Sequence, residues 1–216
     1  MKIEEITLFT NQIEKQKLFY QEVMDFDLVF NSEEKITFKT GKSLLSFEYK
    51  QTVNSAHFAF NIPSNKIDEA LLWLQKRVAI LPDGENLISN FESWNAKAIY
   101  FYDTDKNIVE FIARKDLNQN SVEQFSAKEI ISISEIAIVT TNISPLYKAI
   151  SGIKPISIFD GNINRFCALG SHDGLFILSN KTVKTWHPTG EPVHTADFVI
   201  KGDYNFKYID GEVLST

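Results

Sequence analysis

Two stretches decide the fold: Ile3-Glu4-Glu5-Ile6-Thr7-Leu8-Phe9 and, 130 residues later, Ile133-Ser134-Glu135-Ile136-Ala137-Ile138-Val139. Each reads as a strand with the same order of apolar and acidic positions, so the chain repeats itself. After the first comes a helical stretch, Gln12 to Met24, and then three strand-like segments, Leu28 to Phe30, Lys35 to Thr40 and Leu44 to Tyr49. Gly41-Lys42 reads as the hairpin turn between the last two. This is a strand–helix–strand–strand–strand unit.

The unit recurs at once. Ala56-His57-Phe58-Ala59-Phe60-Asn61-Ile62 is a strand, and Asn65 to Arg77 a helix with Ile67, Ala70, Leu71 and Leu74 on one face. Asn65 is the expected N-cap, with Asp68 completing a weak capping box. Ala98 to Tyr102 and Ile108 to Ala113 are strands joined by the polar turn Asp103-Thr104-Asp105-Lys106-Asn107. Lys115 to Lys128 is polar and reads as a linker. The third unit then opens at Ile133, with a short helix Pro145 to Ser151 capped by Ser144 and strands around Ile156 to Phe159, Arg165 to Leu169 and Leu175 to Leu178. Ala196-Asp197-Phe198-Val199-Ile200 echoes Ala56 to Phe60, but no helix-length segment separates it from the strand-like Phe206 to Leu214. The fourth unit is truncated. The expected division is a complete two-unit domain at 1–115, a linker at 116–129 and a degenerate, truncated copy at 130–216.

Bulk properties narrow the function. With 44% hydrophobic and 12% aromatic residues a core is affordable, and a net charge of −6 without a basic run argues against nucleic-acid binding. No apolar run approaches the ~20 residues of a membrane helix, and the acidic N-terminus lacks a signal-peptide layout, so a cytoplasmic location is expected. Cys167, the single cysteine, reads as a buried small hydrophobe. Glycine-rich phosphate loops and the Gly-x-Ser-x-Gly nucleophile turn are absent from the sequence.

The residues left with chemistry are one imidazole, His57, and the carboxylates Glu5 and Glu110. Taken alone, His57 reads as a hydrogen-bonded cavity histidine and Glu5 as a solvated edge residue. Glu110 shares a strand face with Ile108 and Ile112, where a carboxylate needs a compensating partner. Three motifs resemble the vicinal oxygen chelate superfamily of glyoxalases, bleomycin-resistance proteins and extradiol dioxygenases. They are the Ile-Thr-Leu-Phe start with Phe19-Tyr20 closing the first helix, the strand His57-Phe58-Ala59-Phe60, and Asp103-Thr104-Asp105-Lys106-Asn107-Ile108-Val109-Glu110-Phe111. The resemblance covers Met1 to Arg114 well and Ile133 to Ile200 more loosely.

The resemblance implies an α+β fold in which tandem βαβββ units form curled mixed sheets around a cavity, followed by a truncated copy of that paired domain. It places metal ligands on the first and last strands of a unit, here Glu5 and His57, and Ser46 and Glu110. Ser46 is a poor ligand, so the implied metal set is Glu5, His57 and Glu110, holding a divalent ion (Mn, Fe, Zn or Ni), with Glu5 or Glu110 as catalytic base. Ser46, Asn61, Trp94, Tyr100 and Tyr102 are the expected substrate contacts, on the cavity strands or just before them. The second half, with Glu135 and Asp197 at the matching places and Leu178 or a neighbour at the place of Ser46, is expected to be chemically weaker, a degenerate copy with a structural or lid role. The loop Trp186-His187-Pro188-Thr189 is expected at the surface, although closure over a site is open to it. The implied activity is that of a metal-dependent lyase, isomerase or ring-cleaving dioxygenase on a small oxygenated substrate. The alternative is a metal-free binding or antibiotic-sequestering protein. A homodimer is the expected assembly.

Overall fold

A computed structural model describes residues 1–215. The first unit comprises β1 (Ile3–Thr10), α1 (Ile13–Leu18, continued as a wider turn over Phe19–Val23), β2 (Asp27–Asn31), β3 (Lys35–Thr40) and β4 (Ser43–Tyr49). The second has β5 (His57–Ile62), α2 (Ile67–Gln75), the short β6 (Ile80–Leu81) and β7 (Ser89–Phe91), then β8 (Ala96–Tyr102) and β9 (Ile108–Arg114). The third has β10 (Ser132–Thr140), α3 (Ile143–Ile153), β11 (Ile158–Asn162), β12 (Phe166–Ser171) and β13 (Gly174–Asn180). The fourth retains only β14 (Phe198–Gly202), β15 (Phe206–Ile209) and β16 (Glu212–Ser215). No helix among the described residues is long and apolar enough to cross a membrane.

The strands form two mixed sheets. One runs β16-β15-β14-β1-β4-β3-β2, and the other β11-β12-β13-β10-β5-β9-β8-β6, with β7 paired to β8. The α+β class and the repeated units are therefore as the sequence implies, but the partnership of the units is not. The first unit shares its sheet with the truncated fourth, and the second shares its sheet with the third. A boundary at residues 116–129 passes between β9 and β10, which flank the same strand, β5. The linker is short enough to hold β10 beside β5, where the Ile131 amide donates to the Asn61 carbonyl. Gly41 makes the same junction tight. At φ +60° its Cα packs so close to the Ile130 carbonyl that a Cβ would lie 2.2 Å from that oxygen, which only glycine tolerates.

Strand alternation sorts the second sheet into two faces. Phe58, Phe60, Phe101, Val109, Phe111 and Ile136 point into the main core, where Ile67, Ala70 and Leu74 of α2 also pack. Ala59, Ala98, Tyr100, Ile108, Ile112, Ala137 and Ile177 point the other way, into a second apolar cluster beneath a cavity. Small alanines on that face leave the room that the cavity occupies.

Local details depart from expectation. Asn65 does not cap α2, which has no side-chain cap. Its amide instead donates to the Ser121 carbonyl (2.9 Å) and accepts from the Ser121 amide (3.0 Å), tying down the linker. The cap of α3 is Asn142, not Ser144, its Oδ1 accepting from the Ser144 amide at 3.2 Å.

Candidate functional site

His57 begins β5, Glu110 lies mid-strand on β9 and Glu135 lies near the start of β10. β5 runs between β9 and β10, so these three side chains emerge side by side on the cavity face. One ligand atom from each lies within 4.8 Å of those of the other two. Glu135 is delivered by a β-bulge between Ile133 and Glu135, the strand feature that re-aims a side chain. The same bulge stands between Ile3 and Glu5 on β1, confirming that Glu5 and Glu135 occupy equivalent places in the repeat.

Of the expected metal set, the structure brings His57 and Glu110 together and leaves Glu5 apart from them. Glu5 is on the other sheet, away from His57 and Glu110. Its Oε2 accepts from the Lys201 ammonium at 2.8 Å and its Oε1 from the Ser46 hydroxyl at 2.8 Å, with Lys35 at 3.8 Å. Burial raises its pKa, but the Lys201 and Ser46 hydrogen bonds outweigh that and hold it below the usual carboxylate range. Glu5 is thus a neutralised partner of lysine. Ser46 accompanies it and lies far from a substrate-contact role at the triad. Asp197 of the fourth unit pairs with Lys50. The acid placed third is Glu135, from the half expected to be chemically weaker. By register, the residue matching Glu110 in the third unit is Ile177, opposite Ala137, so the fourth ligand place is apolar.

The electrostatics follow from burial. Glu110 is 2% exposed and Glu135 3%. Burial pushes both carboxyls up, Glu110 well above the ordinary range with Glu135 adding to the effect. Arg114, fully buried at the end of β9, opposes this by pairing with Glu135 Oε1. The His57 Nδ1 lies 3.0 Å from the Ile108 carbonyl, which assigns its proton to Nδ1 and leaves the Nε2 lone pair facing Glu110 Oε2 at 3.4 Å. Burial depresses the His57 pKa to about 4, with Lys184 and His187 helping, so the ring is neutral near pH 7.

The triad fits a divalent ion on its own geometry. It offers a neutral imidazole nitrogen oriented by a backbone carbonyl, two carboxylates and no fourth protein donor at Ile177. Glu135 offers one carboxylate oxygen to the group, and its Oε1 is paired with Arg114.

Above the triad is a cavity of about 260 Å³, walled by Phe91, Trp94, Tyr100, Phe166, Trp186 and His187. Two of the expected contacts line it. Tyr100 stands opposite Glu110 in the β8–β9 pair, and burial with the nearby Glu110 and Glu135 charges keeps its hydroxyl protonated. Trp94 donates its indole N–H to Asp160 Oδ2 at 2.6 Å. Tyr102 and Asn61 do not line it. Tyr102 donates to Glu191 Oε2 at 2.6 Å, while the Asn61 amide donates to the His172 carbonyl at 3.2 Å.

The segment between β13 and β14 covers the opening. Trp186 sits with its ring 5.6 Å from that of His57, and His187 packs edge-on to Tyr100 at 5.2 Å. The loop expected at the surface therefore forms the cavity roof. Lys184 and Asp160 also line the cavity, with Ser93, Ile177 and Ser179. Reading the sequence missed these residues because no motif or period marks them; only Glu135 carried a signal, its place in the repeated opening strand.

No family profile matches the chain, and no curated protein does. Solved structures do. A Bacillus subtilis protein proposed to be a dioxygenase superposes at a TM-score of 0.62 over 99% of this chain and 68% of its own, with 12% identity. Lactoylglutathione lyase from Agrobacterium tumefaciens matches 50% of this chain and 90% of its own at 19% identity and a TM-score of 0.44. The fosfomycin resistance protein FosX from Listeria monocytogenes matches 51% and 89%, at 20% identity and a TM-score of 0.42. With its repeated units and two mixed sheets, the chain shares over its full length the fold of the Bacillus subtilis protein, the α+β fold of βαβββ units that the resemblance implied.

Proposed function

We propose that His57, Glu110 and Glu135 hold a divalent metal and that the cavity above them turns over a small oxygenated substrate, in the manner of a vicinal oxygen chelate enzyme. The observation that carries this reading is the convergence of three ligand atoms within 4.8 Å at the floor of an aromatic cavity. One nitrogen and two carboxylate donors suit Mn or Fe better than thiolate-seeking metals, with Zn and Ni also compatible. The bound ion would supply Lewis acidity to two neighbouring substrate oxygens.

The chain's own residues do the rest. His57 stays neutral and is held in one tautomer by the Ile108 carbonyl. Glu110, were its carboxylate to leave the ion, would be the group able to receive a proton from substrate, since burial raises its proton affinity. Tyr100 keeps its hydroxyl proton beside Glu110 and can donate to a substrate oxygen. Trp186 and His187 wall the cavity beside His57 and Tyr100. Whether the outcome is lyase, isomerase or ring cleavage depends on the substrate.

One observation favours the alternative, a metal-free binding protein: Arg114 already neutralises Glu135. Metal analysis of tag-free protein, after incubation with Mn, Fe, Zn or Ni, tests between them. About one ion per chain, lost in a His57→Ala/Glu110→Ala variant, supports the first reading; negligible metal in both supports the second. The reading includes a homodimer, for which the exposed Val29 and Phe30 on the edge strand β2 offer an apolar surface. Sedimentation of the wild type and of a Phe30→Lys variant measures it.

A further inference from the structure

We propose that Lys184 receives an acidic group of the substrate, so that the cavity takes a flat, apolar-bodied organic monoanion, an aryl carboxylate being the simplest form. This rests on the reading that the cavity above His57, Glu110 and Glu135 is the substrate site, and it adds the class of molecule that site accepts.

Lys184 enters the cavity from the roof segment, its ammonium 4.3 Å from the centre of the Phe166 ring. Among the described residues no carboxylate lies within ion-pair distance of it, and its ammonium makes no hydrogen bond to the protein. The other charged groups around the cavity are already engaged. Glu135 is paired with Arg114, and Asp160 accepts from the Trp94 indole and from the Gly161 amide at 2.7 Å. The larger groove at the far end of the sheets, about 520 Å³, shows the contrast: Lys50 there is paired with Asp197, and Lys181 donates to the Thr195 hydroxyl at 3.3 Å.

A cation withdrawn from water without a counter-charge is costly, and an anion brought by a ligand removes that cost. Burial pushes the Lys184 ammonium toward losing its proton, the same cost read as a pKa direction. The charge balance agrees. Glu110, Glu135 and Asp160 face Lys184, with Arg114 paired to Glu135 and Arg165 acting on Lys184, so a divalent ion held by the two glutamates would leave the site net positive, which an anion offsets. The shape agrees as well. Trp94 stacks on Phe166, ring centroids 6.2 Å apart and planes at 29°, so the lysine stands among aromatic faces that suit a flat, apolar body. At about 260 Å³ the space lies below the range of drug-sized pockets, which selects a small ligand.

The test uses the full chain, manganese-loaded and metal-stripped, titrated with benzoate and with the uncharged benzamide. Calorimetry or the fluorescence of the cavity tryptophans reads the affinity. Wild type is expected to prefer benzoate by about tenfold, the size of a charge-assisted hydrogen bond. K184Q removes that preference with benzamide affinity unchanged, and K184R keeps it. Equal affinity for the two probes in wild type, an undiminished preference in K184Q, or no binding of either probe overturns the proposal. Metal content measured in parallel keeps the two ideas apart. K184Q retains the wild-type metal content if the lysine acts on substrate alone. A chain that takes no metal yet keeps a lysine-dependent benzoate preference overturns the metal centre and supports the role of Lys184.

Discussion

Replacing Arg114 tests how the triad is held. Its guanidinium is 0% exposed and pairs with Glu135, itself 3% exposed, while Ser134 lies 3.5 Å away. Arg114→Met removes the only cation beside a buried carboxylate, and breaking such a pair costs about 3–5 kcal/mol. Two features pull toward the lower figure. The Nε and Nη1 donors of Arg114 have no partner among the described residues, so their loss removes a penalty. Glu135 can also take up a proton, since burial already pushes its pKa upward. A destabilisation of about 3 kcal/mol is expected near pH 7. The double variant Arg114→Met/Glu135→Gln should recover about 2 kcal/mol of it, because no charge is then left stranded. Urea denaturation followed by circular dichroism, at constant m-value, measures both. If Arg114→Met costs less than about 1 kcal/mol, or the two substitutions are additive, the pair does not hold the triad as described. Adding manganese should stabilise Arg114→Met more than wild type, since the ion would take over the counter-charge.

Two further outcomes are expected. The Asp103 carboxyl is pushed by burial to about 6, against 3.8 when free, so the folded state favours its proton. Its contribution is present in full below about pH 4 and is lost as pH rises through 6, a fall of about 3 kcal/mol at 1.4 kcal/mol per unit. Asp103→Asn should remove that fall, which stability measurements at pH 4 and pH 7 compare directly; an unchanged pH slope would contradict it. Cys167 is fully buried and its thiol is pushed up by burial, so native protein should leave a thiol reagent unreacted, with one equivalent consumed after denaturation.

The units themselves were legible because local periodicity carries them. The apolar face of α2 and the alternation of His57-Phe58-Ala59-Phe60 are each set by neighbours in the chain. The partnership of the units was not legible. Alternation states which way a side chain points relative to its own strand, not which strand lies alongside. β1 and β10 open with the same pattern and carry the same bulge before the acid, so either could have stood beside β5. The short tether through residues 116–129 and the packing of Gly41 against Ile130 put β10 there. Glu135 thereby stands beside His57 and Glu110, where the resemblance implied Glu5.

The Asp103 to Asn107 motif was legible as a marker of the following strand, but its physical work is local. Asp103 Oδ1 accepts from the amides of Asp105 (3.0 Å) and Asn107 (2.9 Å), and Oδ2 from the Tyr20 hydroxyl (3.0 Å). These bonds lock the turn that sets the register of Glu110 and clamp it to the first unit. The roof was legible only as an option for the Trp186-His187 loop. Lys184, Trp186 and His187 lie in a segment without periodicity, and only the tertiary fold brings them over His57.

The central claim is that the metal site is built from the second and third units and not from the first. Glu135→Gln and Glu5→Gln separate the two directly, since these residues hold equivalent places on β10 and β1. Metal content of tag-free protein, measured by mass spectrometry after manganese or iron loading and dialysis, is expected at about one ion per chain in wild type and in Glu5→Gln, and to fall at least tenfold in Glu135→Gln. Retention of metal in Glu135→Gln with its loss in Glu5→Gln would contradict the account.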